Sequence, residues 1–530
     1  MPTLDWIGKD KVINHHNDVP YKVLERKYSY DEDGEHKDDI HSENMIIHGD
    51  NLEALKSLLP QYEGKIKCIY IDPPYNTGNE GWIYNDNVND PKIKKWLGEV
   101  VGKEGEDLSR HDKWLCMMYP RLVLLKKLLH PTQGVIFISI DENEFANLKL
   151  MCNEIFNISN FVISIAWQKR YSRENRGAIG DSHEYILIYA TNPDVFKETR
   201  NYLPLTEKQL KAYSNPDNDP RGLWQSVSLL AQGYRPNQMY EIVAPNGKVH
   251  LPPEGNCWKV VQSEYERALA EGRVTFGSDG NGVPRRKQFL NESKGLVPWS
   301  WWPFDEVGHT DEAKKEMKAI LGNITAFDTP KPVRLIERIV HIATKKDSVI
   351  LDSFAGSGTT AHAVLNMNKK DGGNRKFILV EMGDYADTIT AERVKRVIDG
   401  YGEGKNAVDG TGGNFSYYEL GSPLFLKDGT INNDIDTAEI RKYIWYTETN
   451  GLEYAENEQE KYYLGSHNDT AYYFYYEKDK ATILDYSFLA MVNVKNQAYI
   501  IYADSCALSD IDLQKWNITF KKIPRDIEHI

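Results

Sequence analysis

The chain is 530 residues long, carries a net charge of −14 at pH 7, and 41% of its residues are hydrophobic. That length is enough for two to four domains, each with its own core. Its cysteines are scattered without a C-x-x-C spacing, which argues against a disulfide framework or a zinc site and predicts a reducing cytoplasm. No apolar run approaches the roughly twenty residues that span a bilayer, and the N-terminus lacks the plan of a signal peptide, so we predict a soluble protein without a membrane partner.

The chain opens on a polar and charged stretch. We predict that residues 1–43 form a mobile or loosely docked N-terminal arm. Met45–His48 then has the composition of a strand, and it leads into a turn that contains Asp50 and Asn51. The apolar spacing of Leu52–Leu59 predicts a helix, and either turn residue is suited to cap it.

The next apolar stretch, Ile66–Ile71, runs directly into Asp72-Pro73-Pro74-Tyr75. Two successive prolines fix φ near about −65° and remove two backbone donors, so the neighbouring carbonyls can point into a pocket. The Asp72 carboxylate and the Pro73 carbonyl can then accept hydrogen bonds from an exocyclic amine while Tyr75 stacks on its ring. A plain strand-ending turn is the alternative, because Asp and Pro are ordinary turn residues.

Strands and helices alternate up to about residue 194. Trp114–Leu129 has the pattern of a helix, and residues 134–140, 161–167 and 183–189 have that of strands, which predicts a parallel α/β sheet. A basic cluster follows the second of these strands. The cluster consists of Lys169, Arg170, Arg173 and Arg176. These residues are candidate contacts to nucleic-acid phosphates, and a solvated charged face is an alternative of equal weight.

The alternation stops between residues 195 and 325, where Pro, Gly, Asn and Trp are frequent. A second basic cluster, Arg285, Arg286 and Lys287, follows a glycine-rich turn and is again either a DNA contact or a solvated face. In an acidic chain, contacts to nucleic-acid phosphates depend on locally clustered Lys and Arg, so these two clusters are the candidates for such contacts. Trp299, Trp301 and Trp302 are predicted to form a local hydrophobic core rather than a stacking surface.

A second constellation lies far downstream. Ser348–Leu351 leads through a glycine-rich turn into the helical run 361–365, an arrangement that binds nucleotide cofactors at the carboxyl end of a strand. A phosphate-binding G-x-x-x-x-G-K-[ST] string is excluded because the lysine is missing. A dinucleotide site stays open, because alanine at position 361 can replace the third glycine. Glu381 ends the following strand and is either a ribose ligand or a surface acid.

The C-terminal part begins after a glycine-rich stretch, residues 400–413, which is the predicted linker. Residues 414–530 form a tyrosine-rich, acidic module without a chemical motif.

Together the two constellations resemble the DNA amino-methyltransferases that use S-adenosylmethionine. The target motif of those enzymes is [DNS]-P-P-[YFW], their cofactor motif is close to D-x-F-x-G-x-G, and the order found here is that of the circularly permuted β group. Between about residues 45 and 400 the chain is more specifically similar to the Mod subunits of type III restriction–modification systems. The matching segments are residues 72–79, 84–86, 137–144, 183–185 and 329–332.

The resemblance implies a Rossmann-like class I methyltransferase sheet of the α/β class, circularly permuted, with an inserted target-recognition domain and a small C-terminal α+β domain. After the arm 1–43, residues 44–194 and 326–400 would be the two parts of the methyltransferase domain. Residues 195–325 would be the target-recognition domain, and residues 414–530 a domain for interaction or dimerisation.

The resemblance also implies the roles of individual residues. The catalytic pocket would consist of Asp72, Pro73, Pro74 and Tyr75. Thr359, Thr360 and Lys331 would meet the carboxylate of S-adenosylmethionine, and Glu381 its ribose. The remaining cofactor-binding residues would be Asp352, Phe354, Gly356, Gly358, Asp50 and Asn51, although helix capping alone is the favoured role of Asp50. No metal is expected.

The implied activity is methylation of the 6-amino group of adenine in double-stranded DNA, within a restriction–modification or phage-defence system of a prokaryotic cytoplasm. The 4-amino group of cytosine is the alternative target, and aspartate at position 72 favours adenine. A binding subunit without catalysis and a nicotinamide oxidoreductase are the alternatives of other classes. The implied partners are DNA, a second copy of the chain and a restriction helicase–nuclease (Res-like) subunit.

Overall fold

The protein, seen in a computed structural model, divides into two compact units. One comprises Met1–Asn201 together with Trp299–Ile530, and the other is Tyr202–Pro298. The residues that the structure describes are 3–77, 91–101, 110–172, 178–322, 327, 329–452, 454–455 and 460–530. None of the helices in these ranges is long and apolar enough to cross a membrane.

The larger unit is built on a sheet of eleven strands among the described residues. In chain order they are β1 Lys22–Asp31, β2 Gly34–His36, β3 Met45–His48, β4 Cys68–Ile71, β5 Val135–Ile140, β6 Phe161–Gln168, β7 His183–Ala190, β8 Trp301–Trp302, β9 Val349–Asp352, β10 Lys376–Glu381 and β11 Phe415–Pro423. Their order across the sheet is β8-β6-β7-β5-β4-β9-β10-β3-β11-β1-β2.

The central run of this sheet, from β5 through β4, β9, β10 and β3 to β11, is parallel throughout. Residues of β4 and β5 are buried at every position, as expected of strands covered on both faces. β7 is antiparallel to both β5 and β6, so the expectation of parallel pairing is wrong for β7. The predicted Rossmann-like α/β sheet is therefore confirmed, and β4, which precedes the target motif, comes before β9, which precedes the cofactor motif, as in a permuted chain.

Helices accompany this sheet. In the described residues of the larger unit they are α1 Lys9–Val12, α2 His15–Asp18, α3 Asn51–Tyr62, α4 Pro91–Val100, α5 Arg110–Leu128, α6 Phe145–Cys152, α7 Pro193–Thr199, α8 Phe304–Val307, α9 Thr310–Leu321, α10 Val333–Ala343, α11 Thr359–Asp371, α12 Glu392–Asp399, α13 Thr437–Thr449, α14 Tyr486–Leu489 and α15 Asp510–Lys515. α3 packs on α5, and α10 packs on α11. α10 has a clear apolar face, and its buried positions recur at helical spacing.

The expectation of a mobile N-terminal arm is wrong. β1 pairs with β11 on one side and β2 on the other, so residues 22–31 extend the main sheet. The Tyr28 ring stacks on Tyr417 with 5.0 Å between centroids, and its hydroxyl donates to Asp387 at 2.6 Å. The polar composition of this segment concealed a strand because its partner lies almost 400 residues later in the chain.

The C-terminal part is of the α+β type. Its main sheet has the order β12-β13-β14-β15, with β12 Tyr463–His467, β13 Thr470–Phe474, β14 Ala498–Ala503 and β15 Ile518–Lys522. The predicted start of this part, at residue 414, differs from the structure in one respect. β11 begins at Phe415 and belongs to the main sheet, and the residues after Pro423 are part of the same compact unit as that sheet.

The smaller unit consists of short strands and two helices in its described residues. The strands are Trp224–Ser228, Leu230–Gln232, Ile242–Val243, Val249–His250, Asn256–Trp258, Val274–Thr275 and Arg285–Phe289, and the helices are Glu207–Leu210 and Gln262–Ala270. This unit lies inside the interval 195–325 that we assigned to an insert. Residues 299–322 belong instead to the larger unit, where β8 pairs with β6 and Trp302 is buried, while Trp299 and Trp301 are exposed.

Candidate active site

The two motifs meet at one edge of the main sheet. Asp72 follows β4, Asp352 ends β9 and Glu381 ends β10, and these three strands are parallel neighbours. Since the carboxyl ends of neighbouring parallel strands face the same crevice, the fold brings the target motif next to the cofactor motif.

Asp72 lies at the centre of a buried polar network. The ammonium of Lys331 donates to both of its carboxylate oxygens, at 2.8 and 2.7 Å. The Tyr75 hydroxyl lies 2.8 Å from Asp72 and 3.0 Å from Glu184. Burial raises the pKa of the Asp72 carboxyl, and the Lys331 ammonium opposes that rise. Burial by itself would lower the pKa of Lys331, but attraction to Asp72 and Glu184 outweighs it and raises that pKa.

The loop that carries the target motif is held from outside. The Trp114 indole donates to the Pro74 carbonyl at 2.6 Å. Asn76 adopts a left-handed φ of 59°, and its amide donates to Glu144 and to the Arg110 carbonyl. Glu144 is fully buried and also lies 2.6 Å from His111. The sequence did not predict that Trp114 and Glu144 hold this loop. The only signal was that Glu144 is the last residue of segment 137–144, which is similar to Mod subunits.

The glycine-rich turn is joined to the strand end beside it. Gly356 and Gly358 have φ of 55° and 78°, values that favour glycine, and α11 begins at Thr359 directly afterwards. The Gly356 amide donates to Glu381 at 2.7 Å. The same carboxylate accepts from the Gly383 amide at 2.7 Å and the Tyr385 hydroxyl at 3.0 Å. Glu381 is thus buried at this edge and is not a surface acid.

Asp352 is buried at the start of that turn. It accepts from the Thr360 hydroxyl at 2.5 Å and from the Phe354 amide at 3.0 Å. Burial raises its pKa to about 7, although both hydrogen bonds oppose the rise. Asp352 is therefore an acid at this edge whose protonation changes near neutral pH.

We expect Asp352→Asn to change the pH dependence of stability. A carboxyl with a higher pKa in the folded than in the unfolded state makes the free energy of unfolding fall as pH rises between the two values, here from about 4 to about 7. The variant lacks this loss, so its stability relative to wild type should grow by on the order of 3 kcal/mol between about pH 5 and about pH 8. Denaturant unfolding at about pH 5 and about pH 8 measures this difference. Parallel pH profiles for the two proteins would contradict the prediction.

The turn before α3 closes the same edge. The Asp50 carboxylate accepts from the Leu52 amide at 2.8 Å and caps α3. The Asn51 side chain donates to the Ser353 carbonyl at 3.1 Å. Arg121, buried on α5, donates to Asn51 and lies 3.4 Å from Asp50. Arg121 was not predicted, because nothing local in α5 marks it.

Buried polar atoms around both motifs fit a polar ligand. Among the described residues the structure shows no hydrogen-bond partner for Ser353 Oγ, Asn76 Oδ1 and Thr77 Oγ1. A buried polar atom without a partner is costly, so such atoms commonly mark a site where a ligand or water supplies the missing bond. The residues present therefore fit a cofactor beside the glycine-rich turn and a base beside the target motif.

The first basic cluster is only partly described. Lys169 is largely buried and pairs with Asp181 at 2.8 Å and with Glu184 at 3.4 Å, so its charge is compensated within the protein. Arg170 is exposed. Arg173 and Arg176 lie outside the described residues, as do residues 84–86 of the matching segments.

The second basic cluster, in the smaller unit, requires a correction. Arg285 and Arg286 are exposed on the strand Arg285–Phe289. Lys287 points to the face opposite that of Arg286, is 6% exposed and pairs with Asp217 and, at 3.0 Å, with Asp219. Alternation along the strand explains the difference between neighbours. Lys287 is thus a buried ion-pair residue, and not the exposed cation that a contact to DNA phosphates requires.

This assignment predicts opposite phenotypes for two neighbours. Lys287→Met should lower the melting temperature, because it removes the cation that pairs with Asp217 and leaves Arg221 as the counter-ion of Asp219. Arg286→Ala should leave melting unchanged, weaken DNA binding and reduce the salt dependence of log K by about one charge. Thermal unfolding and DNA titrations at several salt concentrations test both. A melting defect in Arg286→Ala equal to that of Lys287→Met would contradict the assignment.

Known proteins place the chain in a family. A family model described as "DNA methylase" matches residues 66–392. The Mod subunit of the type III restriction–modification enzyme StyLTI of Salmonella typhimurium is 36% identical over 430 residues, 74% of this chain and 62% of the relative. The EcoPI Mod subunit of Escherichia phage P1 is 34% identical over 421 residues, which are 72% of this chain and 63% of the relative. The type II methyltransferase M.KpnI of Klebsiella pneumoniae is 31% identical over 368 residues, which are 64% of this chain and 80% of the relative.

The chain spans a little over three fifths of the length of these Mod relatives. The resemblance to Mod subunits that the sequence motifs indicate is confirmed by these matches. The matched span contains the target loop, the glycine-rich turn and the whole smaller unit. The chain therefore belongs to the DNA methylase family.

Proposed function

We propose that the protein transfers a methyl group from S-adenosylmethionine to the 6-amino group of adenine in double-stranded DNA. The observation that carries this proposal is the placement of Asp72 and Tyr75 at the end of β4, beside the glycine-rich turn at the end of the neighbouring strand β9. An amine acceptor and a cofactor turn in one crevice are what direct methyl transfer requires. A binding subunit without catalysis would not need the buried carboxylate of Asp72.

The chemistry follows from the electronics of the amine. The lone pair of an adenine amino nitrogen is shared with the ring, so this nitrogen is a poor nucleophile. Hydrogen bonds from its protons to Asp72 and to the Pro73 carbonyl favour a tetrahedral nitrogen whose lone pair is localised. S-adenosylmethionine supplies an electrophilic methyl group on sulfonium sulfur. As the nitrogen–carbon bond forms the carbon–sulfur bond breaks, and the nitrogen then gives up the proton that faces Asp72.

Positioning supplies much of the rate in such a reaction, because the reacting atoms must lie in line at roughly 3–3.5 Å. The target base must leave the duplex to reach a crevice at the sheet edge. Tyr75 is the side chain proposed to stack on it. Thr359 and Thr360 at the start of α11 are the proposed ligands of the cofactor carboxylate, and Glu381 that of the ribose. Phe354, Asp352, Asp50 and Asn51 line the remaining wall in this proposal.

Lys331 needs a different role from the one that the resemblance implies. Its ammonium pairs with Asp72 and not with the start of α11. Its carbonyl accepts from Thr359 Oγ1, at the start of that helix, at 3.3 Å. We therefore propose that Lys331 is part of the target pocket. Its contact to the cofactor carboxylate stays a prediction.

The charge of the smaller unit supports a role in DNA recognition. Residues 202–298 contain twelve Lys and Arg against ten Asp and Glu, a net charge of +2, although the whole chain carries −14. Arg285 and Arg286 are exposed within this unit. A net positive charge in one unit of an otherwise acidic protein is in keeping with phosphate contacts there.

The partners are proposed from the relatives, which are named as Mod subunits of type III enzymes. We infer that the protein is the modification subunit of a restriction–modification or phage-defence system in a prokaryotic cytoplasm. A homodimer and a Res-like helicase–nuclease subunit are the proposed protein partners, and the C-terminal module is the proposed interaction domain.

The test is methyl transfer from isotope-labelled S-adenosylmethionine to unmethylated genomic DNA, with the product nucleosides identified by mass spectrometry. We expect N6-methyladenine. N4-methylcytosine would replace adenine by cytosine as the target. Absence of label from DNA, with cofactor binding demonstrated by calorimetry, would refute DNA methylation by the chain acting alone.

A further inference from the structure

A cation already occupies the carboxylate that the target amine needs. Lys331 donates to both oxygens of Asp72 at 2.8 and 2.7 Å, and both side chains are buried. The proposed function requires Asp72 to accept a hydrogen bond from the incoming amine. The amine must therefore compete with the ammonium for the same oxygens.

A second acceptor lies beside the ammonium. Glu184, on β7, places Oε2 3.7 Å from the Lys331 nitrogen, a distance that allows ion pairing but exceeds a hydrogen bond. A shift of roughly 1 Å would convert this contact into a hydrogen bond. The aromatic rings of Tyr75 and Trp167 lie 4.9 and 5.9 Å from the same nitrogen and flank its position.

The charges around the pair make such a shift feasible. Asp72, Glu184 and Asp181 provide three negative charges, and Lys331 and Lys169 provide two positive ones, all linked by contacts of 4 Å or less. An ammonium that moves from one buried carboxylate toward another never loses its counter-charge. An ammonium driven off Asp72 without a second carboxylate would become a buried, unpaired charge, which is strongly unfavourable.

Tyr75 connects the same two carboxylates. Its hydroxyl oxygen lies 2.8 Å from Asp72 and 3.0 Å from Glu184, and a hydroxyl has one proton to donate. The proton can therefore serve either acid, according to which of them the ammonium occupies. The Lys331 ammonium and the Tyr75 hydroxyl proton can thus exchange their acceptors between Asp72 and Glu184.

We propose that Glu184 is a positioning residue that takes up the Lys331 ammonium when the target amine enters, so that Asp72 can accept from the amine. This inference rests on the proposed role of Asp72 as the amine acceptor. Glu184 itself touches neither the reacting atoms nor the cofactor in this scheme. It acts through Lys331.

Glu184→Gln is the direct test, because the amide keeps the size of the side chain and an acceptor for Tyr75 but removes the negative charge. We expect kcat for methylation of genomic DNA to fall by roughly tenfold or more. The KM for S-adenosylmethionine and the affinity for S-adenosylhomocysteine in calorimetry should stay unchanged. Glu184→Asp retains the charge and should keep most of the rate.

A double variant separates this scheme from a merely structural role. Adding Lys331→Met to Glu184→Gln removes the competing cation, so the double variant should be faster than Glu184→Gln alone. The comparison is made up to about pH 9, because a buried carboxylate without its cation titrates at higher pH. If Glu184 only supports the pocket, removal of a second buried charge cannot restore the rate at any pH.

Glu448→Gln is the matched control. Glu448 is a buried glutamate in the C-terminal part that also accepts from a tyrosine hydroxyl, Tyr502, and from a lysine, Lys521. It should keep the wild-type rate. An equal loss of rate in Glu448→Gln, a wild-type rate in Glu184→Gln, or no recovery in the double variant would each overturn the inference. A wild-type protein that methylates no DNA would instead overturn the proposed function itself.

Discussion

Replacing Asp72 is expected to lower the rate of methyl transfer by roughly 10²–10⁴-fold, the range found when a positioned acid–base or charge-stabilising group is lost. The physical reason is that the Asp72 carboxylate is the proposed acceptor for both the amine hydrogen bond and the departing proton. Asp72→Asn preserves the size of the side chain and removes the charge. The assay is transfer of labelled methyl groups to genomic DNA, with calorimetric binding of S-adenosylhomocysteine measured in parallel.

Stability must be measured with this variant, because Lys331 would keep only Glu184 as its counter-ion. Breaking a buried ion pair costs roughly 3–5 kcal/mol. A fold that is retained, with cofactor affinity unchanged and the rate lost, would identify Asp72 as a catalytic residue. Asp347→Asn is the matched control, since Asp347 is exposed and lies before β9, at the opposite end of that strand from the crevice. A rate for Asp72→Asn within about threefold of wild type would contradict the mechanism.

Gly358→Ala is expected to weaken cofactor binding by roughly tenfold or more and to lower the melting temperature. Gly358 has a φ of 78°, in the left-handed region, and an added Cβ would lie 3.1 Å from the Thr390 carbonyl oxygen. A non-glycine residue in that conformation costs roughly 1–3 kcal/mol, and relief of the close contact would displace the turn that begins α11. Calorimetry with S-adenosylhomocysteine and thermal unfolding measure the two effects.

Gly372→Ala provides the control at the other end of the same helix. Gly372 has a φ of 64°, but an added Cβ would meet no atom within 4 Å among the described residues. It should therefore show only the conformational cost, with cofactor affinity unchanged. Equal cofactor affinities for the two glycine variants would show that the turn at Gly358 does not form the cofactor site.

Much of the site was predictable because its motifs are short-range. The strand before Asp72, the two prolines and the glycine-rich turn before α11 are each specified by a few consecutive residues. The parallel central sheet was predictable for the same reason, from the alternation of strands and helices. What the pattern could not indicate is which strands become neighbours, and the pairing of β1 with β11 is the clearest case.

Side-chain partners were the least predictable feature. Lys331 was expected beside the cofactor, yet it pairs with Asp72. Arg285, Arg286 and Lys287 form one basic run in the sequence, yet only Lys287 turns inward to Asp219. The partner of Lys331 comes from a distant part of the chain. The environment of Lys287 depends on which face of its strand is buried.

The amino-acid sequence by itself determined which chemical groups this protein carries: the Asp-Pro-Pro-Tyr loop, the glycine-rich turn and their order along the chain. The tertiary structure alone decided that Asp72, Lys331 and Glu184 share one buried network and that Asp352 is buried deeply enough to raise its pKa to about 7. The physical reason is that local conformation depends on neighbouring residues, whereas burial and charge pairing depend on groups that only the folded chain brings within a few ångströms of each other.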